Sequence, residues 1–449
     1  MELPSIVDFA EEVADAPVQP DYTREGPLEA IRLPRLEHTA SSCFPDCIGA
    51  QCILRADVTY PKGGVVYGVG PPYPLAIITG GFLVGAEAYQ SYAERLATWG
   101  YTAITYDKVE TVNDPLNDEV SARFISEIID WAATDRSLSK ICDASRVYLV
   151  GHSRGGKLSA LAALTDDRVR AMCAIDPVDS TVYAPVGPGY PSATQAMSDW
   201  ARQLQRAAPG QTPPKPSAAA GTSFVRAGGG AIYEELKDVD AAASRAASRA
   251  AEPARKDLPT NAECRIPGLC LGARAMARTQ PLPMVVVGAG RGGDCAPRDA
   301  NYTRFYDACT GPAWQLLVRD AGHFQFLDRK SALQSAVCAE GRTPDGVVRA
   351  VAQAAMVAWG EAHVRSAPGP APDPAPAGTD APHAGAAGQA LRWPGLADRS
   401  PEEMARAASR GCAELVGRGL AERDAAQRAR GKVGVGRGEQ VLEVSYKAL

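Results

Sequence analysis

The chain has 449 residues, of which 45% are hydrophobic and 22% are charged, and its formal net charge is −5. A chain of this length can bury a large core, and its mild, unclustered charge gives no reason to expect nucleic acid as a partner. No run of about 20 apolar residues exists, so no transmembrane segment is predicted.

The first 50 residues are predicted to form an N-terminal extension. Its opening stretch, residues 1–12, is acidic and lacks both the hydrophobic region of a signal peptide and the Ser/Arg-rich composition of a transit segment. Either the protein is untargeted or its targeting segment has been removed.

Residues 51–365 alternate between strand-like and helix-like segments. Apolar and β-branched runs predict strands at Cys52–Thr59, Leu75–Thr79, Tyr101–Asp107, Arg146–Val150, Met172–Ile175, Met284–Val287 and Trp314–Val318. Amphipathic runs predict helices at Ala88–Trp99, Asp118–Thr134, Gly156–Thr165 and Gly346–His363. The alternation predicts an α/β catalytic domain with a mostly parallel sheet and helices on both faces.

Two low-complexity segments interrupt or follow this domain. Residues 205–256 mix Pro, Gly, Ala, Ser and Arg, and residues 366–399 are dominated by Pro, Ala and Gly, so both are predicted to be flexible. The first falls where hydrolases insert lids, and it is interpreted either as a lid or as a disordered insertion. The second leads to a helical tail over residues 400–449, where Ser400 and Glu403 predict a capping box.

A predicted nucleophile lies where a strand meets a helix. Residues 146–150 are apolar and β-branched, residues 151–155 read Gly-His-Ser-Arg-Gly, and residues 158–164 are rich in alanine and leucine. In such an elbow the serine occupies a strained turn, and the flanking glycines leave room for neighbouring backbone. Ser153 is therefore the predicted nucleophile. A phosphate-binding loop fits less well, because leucine rather than Ser or Thr follows Lys157.

The base for this serine is sought among five histidines. Four lie in positions that do not suit the role: His38, His152, His363 and His383. His323 remains, in a short glycine-hinged loop after a predicted strand, where α/β-hydrolases place their histidine. The alternative is a packed structural histidine.

The acid that would orient His323 has two candidates. Asp176 follows the predicted strand Met172–Ile175, and Asp294 follows the next one, Met284–Val287. Both strand ends reach the edge where parallel sheets gather their functional groups. The residues alone favour Asp176 and Asp294 about equally as the acid.

The oxyanion hole is expected from two backbone N–H groups. One would belong to Arg154, which directly follows the nucleophile. The other would belong to Phe82, because Gly80 and Gly81 after an apolar strand let the backbone turn toward a bound carbonyl. A simple tight turn is the alternative for the two glycines.

Eleven cysteines are an odd number, so at least one thiol is unpaired within the chain. Two clusters occur, one of Cys43, Cys47 and Cys52 and another of Cys264, Cys270 and Cys295. Neither has the spacing of a zinc site, so no metal site is predicted. Buried or disulfide-bonded thiols are expected instead, with a redox switch as the alternative.

Four motifs together resemble the chlorophyllase family, serine esterases that cleave chlorophyll into chlorophyllide and phytol. They are Gly-Gly-Phe at 80–82, Gly-His-Ser-Arg-Gly-Gly-Lys at 151–157, Ile-Asp-Pro-Val-Asp at 175–179 and Gly-His-Phe-Gln-Phe-Leu-Asp at 322–328. The resemblance covers about residues 57–362 apart from the internal insertion. Its most specific element is the arginine and the second glycine of the elbow.

The resemblance implies an α/β-hydrolase fold and assigns the acid to Asp176, as in the similar platelet-activating-factor acetylhydrolases. Two positions depart from the family pattern. Gly80 replaces the first residue of a usual His-Gly-Phe, which implies looser support for Phe82. Phe324 replaces a methionine after the catalytic histidine, an exchange of one apolar residue for another.

The implied substrate is chlorophyll, whose macrocycle and phytyl chain require an apolar mouth. The residues expected to line this mouth are Leu83, Val84, Val178, Tyr183, Phe324 and Phe326. No cofactor is required, because the magnesium of chlorophyll arrives with the substrate. The alternatives are a lipid, phospholipid or general carboxylesterase of the acetylhydrolase type, and a non-catalytic pigment-binding protein.

The family resemblance implies a chloroplast location, with the cytoplasm as the alternative. It is also compatible with peripheral contact with pigment-bearing membranes. The oligomeric state is not given by the sequence.

Overall fold

The structure is a computed structural model that describes residues 20–64, 69–207, 278, 280–365, 400–429 and 442–447. The low-complexity segments therefore lie outside the described residues, apart from residues 205–207. The described residues belong almost entirely to one compact unit made of residues 1–205 and 268–449.

Ten strands form one sheet in the described part of the chain. Their bounds are β1 Glu29–Arg32, β2 Leu36–Thr39, β3 Ile53–Lys62, β4 Tyr73–Thr79, β5 Thr102–Asp107, β6 Cys142–His152, β7 Val169–Ile175, β8 Met284–Arg291, β9 Ala313–Gly322 and β10 Leu442–Lys447. The order across the sheet is β1-β3-β5-β4-β6-β7-β8-β9-β10, and β2 also pairs with β3.

The middle of this sheet, from β5 to β9, is parallel throughout. The flanking pairs, β3 with β5 and β10 with β9, are antiparallel. The strand order reverses between β4 and β6, since the chain turns from β4 to β5 on one side and from β6 to β7 on the other. Such a reversal opens a crevice at the carboxyl ends of the strands, where α/β folds bind ligands.

Helices cover both faces of the sheet. Their bounds are α1 Gln90–Thr98, α2 Asp118–Thr134, α3 Arg154–Thr165, α4 Ala193–Ala207, α5 Tyr302–Ala308, α6 Ala332–Val337, α7 Asp345–Gly360 and α8 Pro401–Ala429. The buried residues of α1, α7 and α8 share one core cluster, and those of α2 to α5 share the other. The predicted α/β class, with a mostly parallel sheet and helices on both faces, is confirmed.

Alternation along the strands explains how one sheet serves two cores. In β6, Tyr148 and Val150 belong to the first cluster, whereas Val147 and Leu149 belong to the second. Successive side chains of a strand point to opposite faces, so a strand covered on both faces must be apolar at every position. This is why the central strands read as continuous hydrophobic runs.

The predicted boundaries at residues 50 and 365 do not coincide with the limits of the sheet. β1 and β2 come from the predicted N-terminal extension, and both pair with β3. β10 comes from the predicted tail and pairs with β9 from Leu442 opposite Val318 to Lys447 opposite Ala313. These short strands have weak sequence signals, because their stability comes from pairing with a strand that is distant in the chain.

The tail helix α8 also packs on the core. Its buried side chains are Met404, Ala405, Ala408, Cys412 and Val416. Their spacing of three to four residues places them on one face of the helix, and the adjacent core is formed by α7. The predicted capping box is confirmed, because Glu403 N donates to Ser400 Oγ at 3.2 Å and Ser400 N donates to Glu403 Oε2 at 2.8 Å. The described part of the tail therefore belongs to the same compact unit as the sheet.

Two disulfides occur among the described cysteines. Cys47 pairs with Cys52 close to β3, and Cys295 after β8 pairs with Cys338 at the end of α6. The unpaired thiols at 43, 142, 173, 309 and 412 are all buried. The expectation of buried or disulfide-bonded thiols is thus confirmed for these residues, while Cys264 and Cys270 lie outside the described residues.

Candidate active site

Backbone strain is concentrated at the carboxyl edge of the sheet. In the part of the chain that the structure describes, three non-glycine residues have a positive φ: Leu83 at 54°, Ser153 at 58° and Asp176 at 39°. Each follows the carboxyl end of a different parallel strand, namely β4, β6 and β7. Such conformations cost on the order of 1–3 kcal/mol each, and they persist where the surroundings impose them, most often at functional sites.

The glycines of the elbow allow backbone to approach Ser153 from three sides. A Cβ on Gly151 would overlap the carbonyl of Gly155, and a Cβ on Gly155 would overlap the carbonyl of Thr79 at the end of β4. A Cβ on Gly156 would lie 2.6 Å from Cβ of Pro177, in the segment that follows β7. The turn therefore fits only if all three residues lack side chains.

The structure brings Ser153, His323 and Asp176 into one hydrogen-bonded line. Ser153 Oγ lies 2.9 Å from His323 Nε2, and His323 Nδ1 lies 2.6 Å from Asp176 Oδ2. The second carboxylate oxygen of Asp176 accepts a hydrogen bond from the N–H of Ala289 at 2.9 Å. Both His323 and Asp176 are buried, at 2% and 0% exposure, so little water competes for these bonds.

Asp176 and Asp294 were the two candidates for the residue that orients His323. The line from His323 Nδ1 runs to Asp176, whose own N–H donates to the carbonyl of Val287 in β8 at 2.6 Å. Asp294 lies within a short 3₁₀ turn, Gly293–Cys295, after β8. The structure thus gives His323 a carboxylate partner directly after β7.

The loop after β4 passes directly beside Ser153. A Cβ on Gly81 would lie 3.1 Å from Cβ of Ser153. The N–H of Gly81 donates to Tyr89 Oη at 3.1 Å, which leaves the next N–H, that of Phe82, as the candidate on this loop. Within the described ranges, no hydrogen bond occupies the N–H of Phe82 or that of Arg154. Arg154 opens α3, where the first N–H groups have no partner within the helix.

The Arg154 side chain anchors the loop that follows β5. It donates to Asp118 at 2.6 Å and to Glu110 at 2.8 Å, and it also contacts the carbonyl of Leu116. Its guanidinium lies 5.6 Å from the centroid of the Phe82 ring. Burial lowers the pKa of Arg154, but Asp118 and Glu110 outweigh that effect and hold the pKa above its ordinary value. Arg154 therefore stays charged and fixes the surroundings of the elbow.

A second histidine, His152, lies beneath the site. Its Nδ1 is 2.8 Å from Tyr89 Oη, and its Nε2 is 3.0 Å from the carbonyl oxygen of His323. Sequence reasoning set His152 aside as the variable residue of the elbow, and it did not single out Tyr89. Full burial, helped by the nearby His323, lowers the pKa of His152 well below its ordinary value.

The residues predicted to contact substrate fall into two groups. Leu83 is 46% and Tyr183 90% exposed, whereas Val84 and Phe324 are partly buried against the core. Phe326 is 0% exposed and Val178 only 6%. Phe326 thus packs inside the core, with its ring centroid 6.1 Å from that of His152, and does not face the surface.

Many of the exposed large apolar side chains lie on segments that follow the carboxyl ends of the parallel strands. They are Phe82 and Leu83 after β4, Val112 after β5, Val182, Tyr183 and Val186 after β7, and Leu333 and Val337 after β9. Tyr183 and Val182 are the most exposed, at 90% and 83%. Exposed apolar residues grouped around a site typically mark an apolar ligand or surface. Across the described helices, none is long and apolar enough to cross a bilayer.

The fold is that of an α/β-hydrolase, and the Ser-His-Asp line lies at the edge of the sheet where such folds place their catalytic residues. A sequence model of the chlorophyllase family matches residues 66–185 and 255–369, just over half of the chain, and the chain belongs to that family. Chlorophyllase-2 of Arabidopsis thaliana is 23% identical over 276 residues, which make up 57% of this chain and 61% of that protein. The alignment thus spans less than two thirds of the plant relative. The family match confirms the resemblance that the four motifs indicate.

Proposed function

We propose that this chain hydrolyses a carboxylic ester with Ser153 as nucleophile, His323 as general base and Asp176 as the acid that orients His323. The observation that carries the proposal is the continuous line of two hydrogen bonds, 2.9 and 2.6 Å long, that joins the three side chains. His323 Nδ1–H donates to Asp176, which leaves Nε2 as the acceptor that a serine hydroxyl needs.

In the first half-reaction, Ser153 Oγ forms a bond to the ester carbonyl carbon as its proton passes to His323 Nε2. The resulting oxyanion accepts hydrogen bonds from the N–H groups of Phe82 and Arg154. The tetrahedral intermediate collapses, the C–O bond to the alcohol breaks, and the alcohol takes the proton from His323. Water then attacks the acyl-enzyme by the same route, releasing the carboxylic acid and restoring Ser153.

We further propose that the ester is the phytyl ester of chlorophyll. A cavity lies beside the loop after β4, residues 80–82, which carries the N–H of Phe82. It has a volume of about 220 Å³ and is lined in part by Gly81, Leu83 and Val84. Pockets that enclose drug-sized ligands measure roughly 300–1,000 Å³, so this one is too small to enclose a macrocycle together with a phytyl chain. Most of such a substrate would lie outside it, on the exposed apolar side chains around the site.

Each apolar side chain that a ligand covers contributes roughly 25 cal/mol per Å² of buried area. The double substitution Val182→Ser with Tyr183→Ser should therefore raise KM for chlorophyll several-fold, with little change for a short p-nitrophenyl ester. Val444→Ser is the matched control, because Val444 is a 44% exposed apolar residue on the edge strand β10. An equal rise in KM for both esters would contradict a substrate role for these side chains.

The substrate proposal is tested by incubating the purified chain with solubilised chlorophyll, a short p-nitrophenyl ester and a phospholipid, with product analysis. We expect chlorophyllide and phytol to appear, with a higher kcat/KM than for the other two substrates. Turnover of the small ester or the phospholipid without release of chlorophyllide would replace the proposal with a lipid or general esterase. Ser153→Ala is the control for hydrolysis by contaminants.

A chloroplast location and peripheral contact with pigment-bearing membranes belong to the same proposal. The support is the family and a plant relative, together with the exposed apolar side chains at the carboxyl edge. Fractionation of intact chloroplasts, followed by a salt wash of the membranes, would test both statements.

A further inference from the structure

We infer that His152 and Tyr89 are positioning residues. They fix the proposed oxyanion loop, residues 80–82, relative to the proposed base His323. The inference rests on the proposed function, since it assigns Gly80–Phe82 and His323 those roles. Its basis is an unbroken buried chain of three hydrogen bonds from Gly81 N–H through Tyr89 Oη and His152 to the carbonyl of His323.

The chemistry of its two ends fixes the direction of every bond in this chain. Gly81 N–H can only donate, so Tyr89 Oη accepts there. The carbonyl of His323 can only accept, so His152 carries its proton on Nε2. Nδ1 of a neutral ring is then an acceptor, and Tyr89 O–H donates to it at 2.8 Å. One neutral tautomer satisfies all three bonds.

Burial makes this chain costly to break. Tyr89 and His152 are each 1% exposed, so water does not replace a lost partner. A protonated His152 would have a donor at both nitrogens, and Tyr89 O–H would lose its acceptor. The lowered pKa of His152, caused first by burial, keeps the ring neutral at physiological pH.

The position of these three hydrogen bonds connects them to the proposed reaction. Gly81 lies beside Ser153 and immediately precedes Phe82, whose N–H is the proposed oxyanion donor. The carbonyl of His323 belongs to the residue that moves the proton. Gly80 also lies against this chain, because a Cβ there would meet Cε2 of Tyr89 at 3.0 Å. The Tyr89 hydroxyl thus supports the loop where Gly80 itself has no side chain to do so.

The first test is Tyr89→Phe, which removes one oxygen and keeps the ring. We expect kcat for a short ester to fall about 10- to 100-fold with KM nearly unchanged, because a slightly misplaced donor matters chiefly in the transition state. Tyr148→Phe is the matched control. Tyr148 is also fully buried, and its hydroxyl donates to the carbonyl of Met356 at 2.8 Å, away from the proposed oxyanion loop.

A second pair of variants separates the two bonds of the imidazole. The Asn side chain of His152→Asn retains an acceptor near the position of Nδ1, whereas the Gln side chain of His152→Gln retains a donor near Nε2. We expect each variant to lose part of kcat, with His152→Asn combined with Tyr89→Phe worse than His152→Asn alone. Additive losses in all combinations would contradict coupling through one chain.

Two readouts distinguish positioning from mere structural support. Affinity for phenylboronic acid, which forms a tetrahedral anion on Ser153, should weaken in parallel with kcat in Tyr89→Phe and stay unchanged in Tyr148→Phe. Nitrogen NMR of histidine-labelled protein should show His152 protonated on Nε2 alone, with the signal assigned by its loss in His152→Asn.

A Tyr89→Phe protein with wild-type kcat and wild-type phenylboronic acid affinity would overturn the inference, even if its unfolding midpoint fell. So would a His152 ring protonated on Nδ1. If the wild-type chain hydrolysed no ester at all, the proposed function would fail separately, because the NMR measurement does not depend on activity.

Discussion

The carboxyl edge of the sheet and the C-terminal face formed by α7 and α8 depend on different kinds of interaction. At the edge, short polar contacts and strained backbone fix a few atoms, as in the line from Ser153 to Asp176. On the C-terminal face, apolar side chains of α8 such as Ala408 and Cys412 pack on α7 with few polar contacts.

This difference predicts a separation of effects. Changes at the edge remove atoms that the proposed mechanism uses and leave most buried apolar area in place, so they should alter rate more than stability. Changes on the C-terminal face remove apolar packing and leave the hydrogen bonds among Ser153, His323 and Asp176 in place, so they should alter stability more than rate. Both kinds of variant must be measured for both properties.

The largest effect is expected for Ser153→Ala, which should reduce ester turnover by on the order of 10³- to 10⁶-fold, since the three residues act as a unit. Its unfolding midpoint should stay close to that of the wild type. The control is Ser159→Ala in α3, the helix that follows Ser153, because Ser159 is fully buried and its Oγ has no partner among the described residues. A Ser153→Ala protein with more than a few per cent of wild-type activity would show that the nucleophile is another residue.

Asp176→Asn should reduce turnover by about 10⁴-fold, because an amide favours the wrong tautomer of His323. Asp294→Asn is the matched control, and it should cost far less. Comparing kcat for the two purified variants checks the assignment. A larger loss of kcat in Asp294→Asn than in Asp176→Asn would assign the orienting acid to Asp294, after β8. It would also show that the geometry at the edge does not predict the rate.

The elbow could be predicted from the sequence because its motif is contiguous. A Cβ on Gly151 would overlap the carbonyl of Gly155. The carbonyl that a Cβ on Gly155 would overlap belongs to the distant Thr79, but both glycines still lie within five positions of one another around Ser153. The same holds for the capping box at Ser400, where the bonds join residues three apart. A reader of the sequence needs no knowledge of the fold for either.

The choice between Asp176 and Asp294 depended on a contact between two motifs. Gly156 lacks a side chain where Pro177 packs against it, so the second glycine of the elbow and the Asp-Pro pair after β7 belong together. This signal was present in the sequence, but reading it required the strand order β6-β7. The pairing of β10 with β9 and the Tyr89–His152 contact were beyond sequence reasoning, because their partners are 63 or more residues apart.

On the C-terminal face, Ala408→Glu should lower the free energy of unfolding by on the order of 3 kcal/mol, because it places an unpaired charge where Ala408 is 3% exposed. Activity per folded molecule should be unchanged. Ala413→Glu is the control, since Ala413 is exposed on the same helix. Denaturant unfolding measures the difference. A stable Ala408→Glu protein would show that α8 adds little to the core, and removal of residues 400–449 would then be harmless, contrary to the packing seen here.

A pH-dependent effect on stability is expected from His363, whose ring centroid lies 4.1 Å from that of Trp359 and whose Nε2 has no hydrogen-bond partner within the described residues. Burial lowers the pKa of His363 to about 4 from an ordinary 6.5. Between these values the unfolded chain binds more protons than the folded one, so stability is lost as pH falls from 6.5 toward 4. The loss from this residue is on the order of 3 kcal/mol.

His363→Phe cannot bind the proton and keeps an aromatic ring beside Trp359, so its unfolding free energy should fall less steeply over this interval, with kcat at pH 7 unchanged. The remaining slope should include His152, whose pKa is lowered in the same direction by burial and by His323. An unaltered slope in His363→Phe would contradict the prediction, because it would show that protonation of His363 does not contribute to the loss of stability in acid.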